Sequence, residues 1–501
     1  MKKPSEVFIE PRRAVGIRDE KIYGHFLEHF HRQIYGGIYA PDSPLADERG
    51  FRKDVIDALK EISPAIIRWP GGCYVSAYHW KDGVGKKRQP AYDKAWRVEE
   101  TNEFGTDEYI DFCRQLQTEP YICTNAGSGT QEEMSDWVEY CNLKNKGKWA
   151  KLRIENGHTE PFAVKYWSIG NENYYDSEIG AKSLEEWGRY VKEAAKMMKR
   201  VDPSIELLAA STADLDWNIN LLREAGEWLD WISIHDYWDV LDQKNEPSDY
   251  ETCMVKSLRT GEKIAKAKNI LGSLGYLGKI RIAFDEWNLR GWHHPNINSK
   301  TEDYLTPRDK NDINSTYTMA DAVFTGGFLN ECLRNCDVVG MANFAPTVNT
   351  RGMIYTHENG IVLRPTYFVF ELYTKYMGDT VVDSWVLGND TFEAEKDGTT
   401  TEIPALDIAA TIDSQEKNLR VSIVNKHPDQ KAEVSLHAFD IENYSSVKIY
   451  TVWGESKDAF NDIGINQVKI LENTLVLNST AQQTIAVSYT HLRAHETKAN
   501  L

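Results

Sequence analysis

Two glutamates stand at the downstream ends of apolar runs in this chain of 501 residues. Glu172 ends the stretch Tyr-Trp-Ser-Ile-Gly-Asn-Glu at 166–172, and Glu286 ends Ile-Ala-Phe-Asp-Glu at 282–286. Hydrolysis of a glycosidic bond with retained stereochemistry requires two carboxyl groups, a protonated one that donates and an ionised one that attacks. The two glutamates therefore predict the acid/base and the nucleophile of a retaining glycosidase.

The residues before each glutamate predict strands of a parallel sheet. A short apolar run is typical of a strand buried on both faces, and the change to Asn, Asp and Glu marks its C-terminal end. In a (β/α)8 barrel the active site lies at that end of the strands. The two motifs resemble those of a large clan of retaining glycosidases, which carry the acid/base on barrel strand 4 and the nucleophile on strand 7.

Short apolar runs alternate with amphipathic stretches along most of the chain, which is the pattern of repeated βα units. This pattern predicts an α/β fold, a (β/α)8 TIM barrel over residues 19–376. The strands are expected at Ile22–Glu28, Ala65–Trp69, Pro120–Asn125, Tyr166–Asn171, Glu206–Ser211, Trp231–Tyr237, Ile280–Glu286 and Val338–Phe344. Helices expected between them include Phe51–Ile62, Thr106–Gln117, Ser183–Val201 and Ile313–Asn335.

After residue 376 the pattern changes to short β-type segments separated by polar turns. This change predicts a jelly-roll-like β-sandwich over residues 377–487, to which residues 1–18 contribute a strand. Residues 488–501 are rich in His, Lys, Arg and Thr and show no apolar alternation. Because they resemble the translated tail of a cloning vector, we expect this segment to be non-native and disordered.

The composition excludes several classes of partner. The chain carries 58 Lys and Arg against 76 Asp and Glu, a net charge of −18, which repels nucleic acid and anionic lipid. Seven irregularly spaced cysteines predict reduced thiols rather than a disulfide framework. Charged residues near the N-terminus argue against a signal peptide, and the lack of a long apolar run argues against a membrane span. A cytoplasmic protein is therefore expected.

Other predicted strand ends also carry polar motifs: Gly-His-Phe-Leu-Glu at 24–28, Arg-Trp-Pro-Gly-Gly at 68–72, His-Asp-Tyr-Trp at 235–238 and Val-Asn at 348–349, and Trp96 stands between two of them. Together with the two glutamates these residues resemble the α-L-arabinofuranosidases of glycoside hydrolase family 51, over almost the whole barrel and, by architecture, over the C-terminal sandwich. The resemblance implies an exo-acting enzyme that releases terminal arabinofuranosyl units from arabino- or arabinoxylo-oligosaccharides, with no cofactor and no metal. Since family members are commonly oligomers, often hexamers, a homo-oligomer is expected.

The resemblance also implies a role for each matching residue. Glu172 would be the general acid/base, and Glu286 the nucleophile that forms a covalent glycosyl-enzyme. Arg68 would hold Glu286 charged and His235 would support it; the less favoured alternative is that both are paired core residues with structural roles. The residues expected to bind the sugar are Glu28, Cys73, Trp96, Asn171, Tyr237 and Asn349.

Two positions depart from the family pattern. Cys73 stands where the family often has Asn, and Pro346 stands where it often has Gln. Neither a thiol nor a proline ring replaces the hydrogen bonds of an amide. We therefore expect Cys73 to line the site and the sugar contacts to be redistributed, with Asn349 as one recipient.

Three other functions fit parts of the sequence. His25-Phe-Leu-Glu-His29 matches the inverted zinc-protease motif, which requires a helix. The flanking residues predict a strand, on which the two rings would stand roughly 13 Å apart. Glutamates on strands 4 and 7 also serve β-xylosidases, endo-xylanases and endo-glucanases, whose activities stay open. The third function, a noncatalytic carbohydrate-binding barrel, would not need an acid and a nucleophile together.

Overall fold

A computed structural model of the chain describes residues 3–241, 246–292, 312–396, 398–413, 418–438, 446–476, 483–487 and 491–494. An eight-stranded parallel sheet is made of β1 Gly24–Phe26, β2 Ile66–Trp69, β3 Glu119–Thr124, β4 Tyr166–Ile169, β5 Glu206–Ala209, β6 Trp231–Leu241, β7 Arg281–Trp292 and β8 Val339–Phe344. Their order is β5-β4-β3-β2-β1-β8-β7-β6, and a parallel bridge between Ala210 and Ser233 joins the two ends. The (β/α)8 barrel predicted from the sequence is confirmed.

The barrel strands are apolar on both faces because helices cover the outside and side chains fill the inside. Every residue of β2, β4 and β8 is buried. This is the burial expected of parallel strands, and it explains why their sequences are continuous apolar runs. Strand β1 is shorter than predicted, since residues 20–23 form a 3-10 turn before it.

Several helices around the barrel are amphipathic and begin at a side-chain cap. In α5, for example, Ser183 and Glu186 form a capping box, while Val191 and Met198 lie on the buried face. The helices are α1 Lys53–Ile62, α2 Thr106–Leu116, α3 Gln131–Asn142, α4 Lys148–Glu155, α5 Leu184–Val201, α6 Leu215–Ala225, α7 Tyr250–Ser257, α8 Thr260–Ser273, α9 Met319–Arg334 and α10 Pro365–Tyr376.

Short antiparallel pairs extend the loops of both parts of the chain. The pair at 91–100 is the one that matters for the site, because its turn carries Trp96. The pairs are Ala91–Asp93 with Val98–Glu100, Ile354–His357 with Gly360–Leu363, Thr391–Lys396 with Thr399–Pro404, Ser446–Gly454 with Val468–Val476, and Asn461–Asp462 with Ile465–Asn466.

A second, strand-rich part has its own core. Its strands are the N-terminal Ser5–Ile17, β9 Thr380–Leu387, β10 Leu406–Ile412, β11 Leu419–Asn425, β12 Ala432–Ala438, β13 Gln483–Val487 and β14 His491–Ala494. They form one sheet in the order β13-β12-N-terminal strand-β9-β10-β11-β14. Val447 and Ile449 of a separate hairpin share an apolar cluster with this sheet, so two layers of strands bury a common interior.

The C-terminal tail differs in part from the disorder expected of it. Strand β14 pairs antiparallel with β11, so that Leu492 lies opposite Ser422 and His491 opposite Ile423. The other residues of the tail, 488–490 and 495–501, lie outside the described part of the chain. The non-native origin of the tail stays a prediction.

Removal of residues 488–501 tests that prediction. Because β14 is a four-residue strand at the sheet edge, we expect its loss to change the melting temperature by less than about 2 °C. Differential scanning calorimetry of the full and the shortened chain measures the change. A decrease of several degrees would show instead that the tail is an integral strand of the sheet.

Candidate active site

The backbone places Glu172 at the end of β4 in an unusual conformation. Gly170 and Glu172 have φ of +71° and +47°, and a Cβ atom on Gly170 would lie 2.1 Å from Oδ1 of Asn173. The left-handed region is uncommon for a residue with a side chain, and such residues cluster at functional sites. The tight turn directs the carboxyl group of Glu172 into the barrel mouth, toward His235.

Glu286 lies in β7, opposite His235 of β6. A carboxylate oxygen of Glu172, a carboxylate oxygen of Glu286 and a ring nitrogen of His235 all lie within 4.8 Å of one another. Retaining glycosidases separate their two carboxyl groups by about 5–5.5 Å, whereas inverting enzymes need about 6.5–9.5 Å to admit a water molecule. The spacing therefore matches retention, as the sequence predicts.

Two cationic side chains and one phenol hold Glu286 in its ionised form. Arg68 Nη1 donates to Oε2 at 2.7 Å, and the hydroxyl group of Tyr237 donates to Oε1 at 2.6 Å. Burial alone would raise the pKa of Glu286, but the charges of His235 and Arg68 and these hydrogen bonds hold it below its ordinary value. A carboxylate that stays ionised is what a nucleophile requires.

His235 is a buried cation between carboxylates. Its Nδ1 lies 2.8 Å from Oε1 of Glu172 and 3.5 Å from Oε2 of Glu286, and its Nε2 lies 3.3 Å from Asp285. Burial would lower the pKa of His235, yet the charges of Glu286 and Asp285 and its hydrogen bonds to Asp285 and Glu172 raise it to about 10. The ring therefore orients both glutamates as an imidazolium.

Asp285 contacts both cations, Arg68 and His235, from the barrel interior. It is fully buried and accepts hydrogen bonds from Ser233 and Tyr121, each at 2.6 Å. Burial would raise the pKa of Asp285, but Arg68, His235 and Ser233 lower it to about 2. Asp285 and Glu286 reach the same two cations because the register of β7 against β6 shifts between Ala283 and Glu286.

A cavity of about 330 Å³ opens above the two glutamates. Four of the residues predicted to bind the sugar line it, and Glu28 is the most buried of them, accepting hydrogen bonds at 3.0 Å from Trp96 Nε1 and from the Tyr74 backbone. Burial and the charge of Glu286 raise the pKa of Glu28 to about 7. The lining residues are Glu28, Cys73, Trp96, Glu172, Tyr175, Ser177, Glu178, His235, Asp236, Tyr237, Val240, Lys263, Glu286 and Arg351.

Asn171 lies beneath the cavity with half of its amide engaged. Its Oδ1 accepts from Arg68 Nη2 at 2.7 Å, whereas its buried Nδ2 has no partner among the described residues. A Cβ atom on Gly72 would lie 3.7 Å from this nitrogen and 3.3 Å from Glu286. Glycine at position 72 thus leaves the space in which a ligand hydroxyl group would meet the amide.

Asn349, like Asn171, is a predicted sugar ligand that does not line the cavity. It is fully buried, its Nδ2 donates to Arg32 O at 2.7 Å and to Thr356 Oγ1 at 2.8 Å, and its Oδ1 accepts from Thr356 N. Both ends of the amide are therefore used to hold the loop. Arg351, two residues later, lines the cavity instead and lies over the ring of Tyr237.

The zinc-protease motif is not presented on a helix. His25 lies on β1, packed against Phe370, and burial lowers the pKa of His25 to about 3. His29 lies beyond the strand, where its Nδ1 meets Glu100 at 3.1 Å and its Nε2 accepts from Trp69. Across the described parts of the chain, neither histidine belongs to a group of potential metal ligands.

Two family models match the chain: an α-L-arabinofuranosidase 1 domain over residues 58–254 and an α-L-arabinofuranosidase C-terminal domain over 285–489. The intracellular exo-α-(1→5)-L-arabinofuranosidase 1 of Bacillus subtilis is 34% identical over 453 residues, 87% of this chain and 88% of that protein. The GH51 α-L-arabinofuranosidase of Thermotoga petrophila is 35% identical, with a TM-score of 0.87 over 98% of this chain and 99% of its own. The chain belongs to glycoside hydrolase family 51.

Solved structures extend the comparison beyond the family. The α-L-arabinofuranosidase of Thermotoga maritima in its arabinose complex superposes on this family 51 chain with a TM-score of 0.88 and 34% identity, over 98% and 100% of the two chains. CelM2, a bifunctional glucanase-xylanase from a metagenome library, is 12% identical with a TM-score of 0.63 over 99% and 100%, and shares the fold alone. No described helix is both long and apolar enough to cross a membrane.

Sequence reasoning did not assign several residues of the site, among them Asp285, Arg351, Tyr175 and Glu178. Asp285 could have been found, because it precedes Glu286 in the same strand end. Arg351 and Tyr175 stand a few residues from recognised motifs but follow no pattern of their own. Glu178 lies in the polar segment after β4, and only its contact with Cys73 reveals it.

The charge of His235 can be measured directly. Since the folded pKa of about 10 exceeds the ordinary 6.5, the imidazolium contributes stability that is fully present below pH 6.5 and is lost as the pH rises through 10. We expect ¹⁵N NMR to show both ring nitrogens of His235 protonated at pH 8, with the signals assigned by their absence in His235→Gln. A neutral ring at pH 8 would contradict this electrostatic description.

Proposed function

We propose that this family 51 chain is a retaining, exo-acting α-L-arabinofuranosidase. The observation that carries the proposal is the pair Glu172 and Glu286, whose oxygens lie within 4.8 Å of each other and of His235. Membership of the family supports arabinofuranose as the sugar that is released, and the close pair of glutamates supports a double-displacement mechanism. Arabino- and arabinoxylo-oligosaccharides are the proposed substrates. The Bacillus subtilis relative is named an exo-α-(1→5)-L-arabinofuranosidase, which supports exo action on the arabino-oligosaccharides.

In the first step Glu286 attacks the anomeric carbon while Glu172 donates a proton to the departing oxygen. Arg68 and Tyr237 fix the attacking carboxylate from two directions. The free amide hydrogens of Asn171 lie where a sugar 2-hydroxyl group would bond, an interaction that strengthens as positive charge develops on the ring. The product of this step is a covalent arabinosyl-enzyme.

In the second step Glu172, now ionised, takes a proton from water, which attacks the same carbon and releases the sugar with its original stereochemistry. His235 acts here as a positioning residue. Its Nδ1 contacts both glutamates, so it steadies Glu172 when that residue becomes negative and Glu286 when it regains its charge. A buried cation placed between the two carboxylates stabilises whichever of them is charged.

The size of the cavity supports exo action. A volume of about 330 Å³ suits one sugar ring, held by Glu28, Trp96 and Tyr237 at its walls. The leaving group, which is the rest of the oligosaccharide, lies on the side of the cavity where Glu172 donates its proton. There a second cleft of about 610 Å³ shares Tyr175 and Lys263 with the catalytic cavity. We assign it to the departing oligosaccharide.

We further infer a cytoplasmic, oligomeric enzyme that needs no cofactor. The seven cysteines are all free thiols, which supports a reducing compartment, and the Bacillus subtilis relative is named intracellular. The oligomer, a hexamer by family resemblance, would appear in light scattering as a mass several times that of the 57.3 kDa chain.

The two glutamates give the central test. Wild-type enzyme is expected to hydrolyse 4-nitrophenyl α-L-arabinofuranoside with retention, as followed by NMR, and to act far more weakly on the aryl β-D-xyloside and on β-glucan. Glu286→Ala should abolish turnover, because alanine cannot form the covalent intermediate. Glu172→Ala should lose about 10²–10⁴-fold in kcat/KM on oligosaccharides, and less on aryl substrates whose leaving group needs no proton.

Azide and an exposed control separate the two roles. With Glu172→Ala, azide should give the arabinosyl azide of retained configuration, and with Glu286→Ala the inverted one. Glu185→Ala, on the exposed start of α5, should behave as wild type. Preference for the xyloside or the glucan would refute the proposed substrate, and full activity of Glu286→Ala would refute its role.

Tyr175 tests the second cleft. It is 52% exposed on the loop that follows the acid/base, so its ring is free to pack against a sugar. Tyr175→Ala should raise KM for arabinotriose about tenfold by removing this contact, and should change KM for the aryl arabinofuranoside much less. Tyr92→Ala, at a tyrosine 63% exposed that lines neither cavity, is the matched control. Equal effects on both substrates would place the oligosaccharide elsewhere.

A further inference from the structure

A further carboxyl group stands beside the two catalytic glutamates and is not used by the mechanism above. Glu178 lies on the loop after β4 and is only 8% exposed, yet it lines the catalytic cavity. One of its oxygens, the thiol of Cys73 and an oxygen of Glu172 all lie within 4.8 Å of one another. Glu178 is therefore close enough to the acid/base to contact the same sugar.

The groups that face Glu178 are neutral or negative. From the turn at 73–77, the thiol of Cys73 donates to Oε1 at 2.7 Å, and the hydroxyl group of Ser76 lies 3.5 Å from Oε2. The other charges that act on it are carboxylates: Glu172 from the end of β4, Glu28 from the end of β1, and Glu286 from β7. Among the described residues, no Lys, Arg or His forms an ion pair with Glu178.

A carboxylate in this position would be buried and repelled. Burial and the charge of Glu172 raise the pKa of Glu178 to about 8, against a smaller opposing effect of the hydrogen bond from Cys73. The cations that line the cavity are engaged elsewhere: His235 with Glu172, Asp285 and Glu286, Lys263 with Asp236, and Arg351 over the ring of Tyr237. At neutral pH Glu178 is thus a carboxylic acid, with one O–H donor and an acceptor oxygen, much like an amide.

We propose that Glu178 binds the sugar as a neutral carboxylic acid, donating a hydrogen bond to a hydroxyl oxygen of the arabinofuranosyl ring and thereby helping to set specificity. The inference rests on the proposed function. Cys73 cannot take this part, because a thiol is a weak donor and its hydrogen is directed at Glu178. Asn349 cannot take it either, since both ends of its amide are engaged elsewhere.

The assignment also predicts the class of ligand. A neutral donor suits a hydroxyl oxygen rather than a charged group, so the ligand is a neutral furanoside with a free hydroxyl group. Recognition by a protonated acid further requires that the contacted hydroxyl group be present. A substrate lacking that group loses one hydrogen bond, and the site keeps an unpaired buried donor.

Kinetics of variants test the donor. With 4-nitrophenyl α-L-arabinofuranoside at pH 6, Glu178→Ala should raise KM about tenfold, the equivalent of one hydrogen bond. Glu178→Gln keeps a neutral donor of the same shape and should stay within about threefold of wild type. Asp176→Ala and Asp176→Asn, at an exposed acid on the same loop, are the matched controls and should behave as wild type. Equal losses in Glu178→Gln and Glu178→Ala would overturn the proposal.

Deoxygenated substrates separate a sugar contact from a structural role. Aryl arabinofuranosides that lack one hydroxyl group at position 2, 3 or 5 should include one that costs wild type about tenfold in kcat/KM and costs Glu178→Ala almost nothing. That substrate identifies the bonded hydroxyl group. If every deoxy substrate loses the same factor in both enzymes, Glu178 does not touch the sugar.

Infrared spectroscopy tests the protonation state without turnover. The difference spectrum of wild type minus Glu178→Gln should show the absorption of a protonated carboxylic acid at pH 7, which disappears above the pKa of about 8. Because Glu28 is present in both proteins, its band cancels. Only a carboxylate band at pH 7 would overturn the proposal. Inactivity of wild type on arabinofuranosides would instead refute the proposed function, which the infrared result does not address.

Discussion

The site depends on balancing several buried carboxyl groups with two cations. Glu286, Asp285 and Glu172 converge on Arg68 and His235 in a largely buried region at the floor of the cavity. Removing a charge from water is costly, and a buried ion pair offsets that cost only when its hydrogen bonds are complete. Here they nearly are, because Tyr237, Ser233 and Tyr121 supply further donors. One carboxylate is thereby fixed in its ionised form, and the second is placed to exchange a proton.

The same balance assigns different states to chemically identical groups. Where a cation is in contact, the pKa falls: that of Asp285 to about 2 and that of Glu286 below its ordinary value. Where burial dominates, the pKa rises: that of Glu28 to about 7 and that of Glu178 to about 8. Ionised and protonated carboxyl groups therefore stand side by side in and beneath one small cavity. Environment, and not residue type, divides the roles.

The backbone brings this about with local departures from regular structure. Left-handed conformations at Gly170 and Glu172 turn the chain sharply at the end of β4, and a register shift in β7 lets adjacent residues reach the same cations. Glycines at positions 71 and 72 let the loop after β2 approach the side chains of Glu28 and Glu286. A Cβ atom on Gly71 would lie 2.4 Å from the side chain of Glu28. Such strain is tolerated because the surrounding barrel is packed.

The sequence by itself determined the barrel, the two glutamates and their order on strands 4 and 7. A barrel strand is buried on both faces, so its sequence is a continuous apolar run, and the polar residues of the active site follow directly at its C-terminal end. Glu28, Arg68 and His235 were also recognisable, since each stands in a motif at a strand end. Only the tertiary structure decided that Asn349 is committed to its own loop and that Glu178 meets Cys73. Those contacts join residues far apart in the chain, and a side chain's partners and charge state follow from what folding packs against it, which no local pattern encodes.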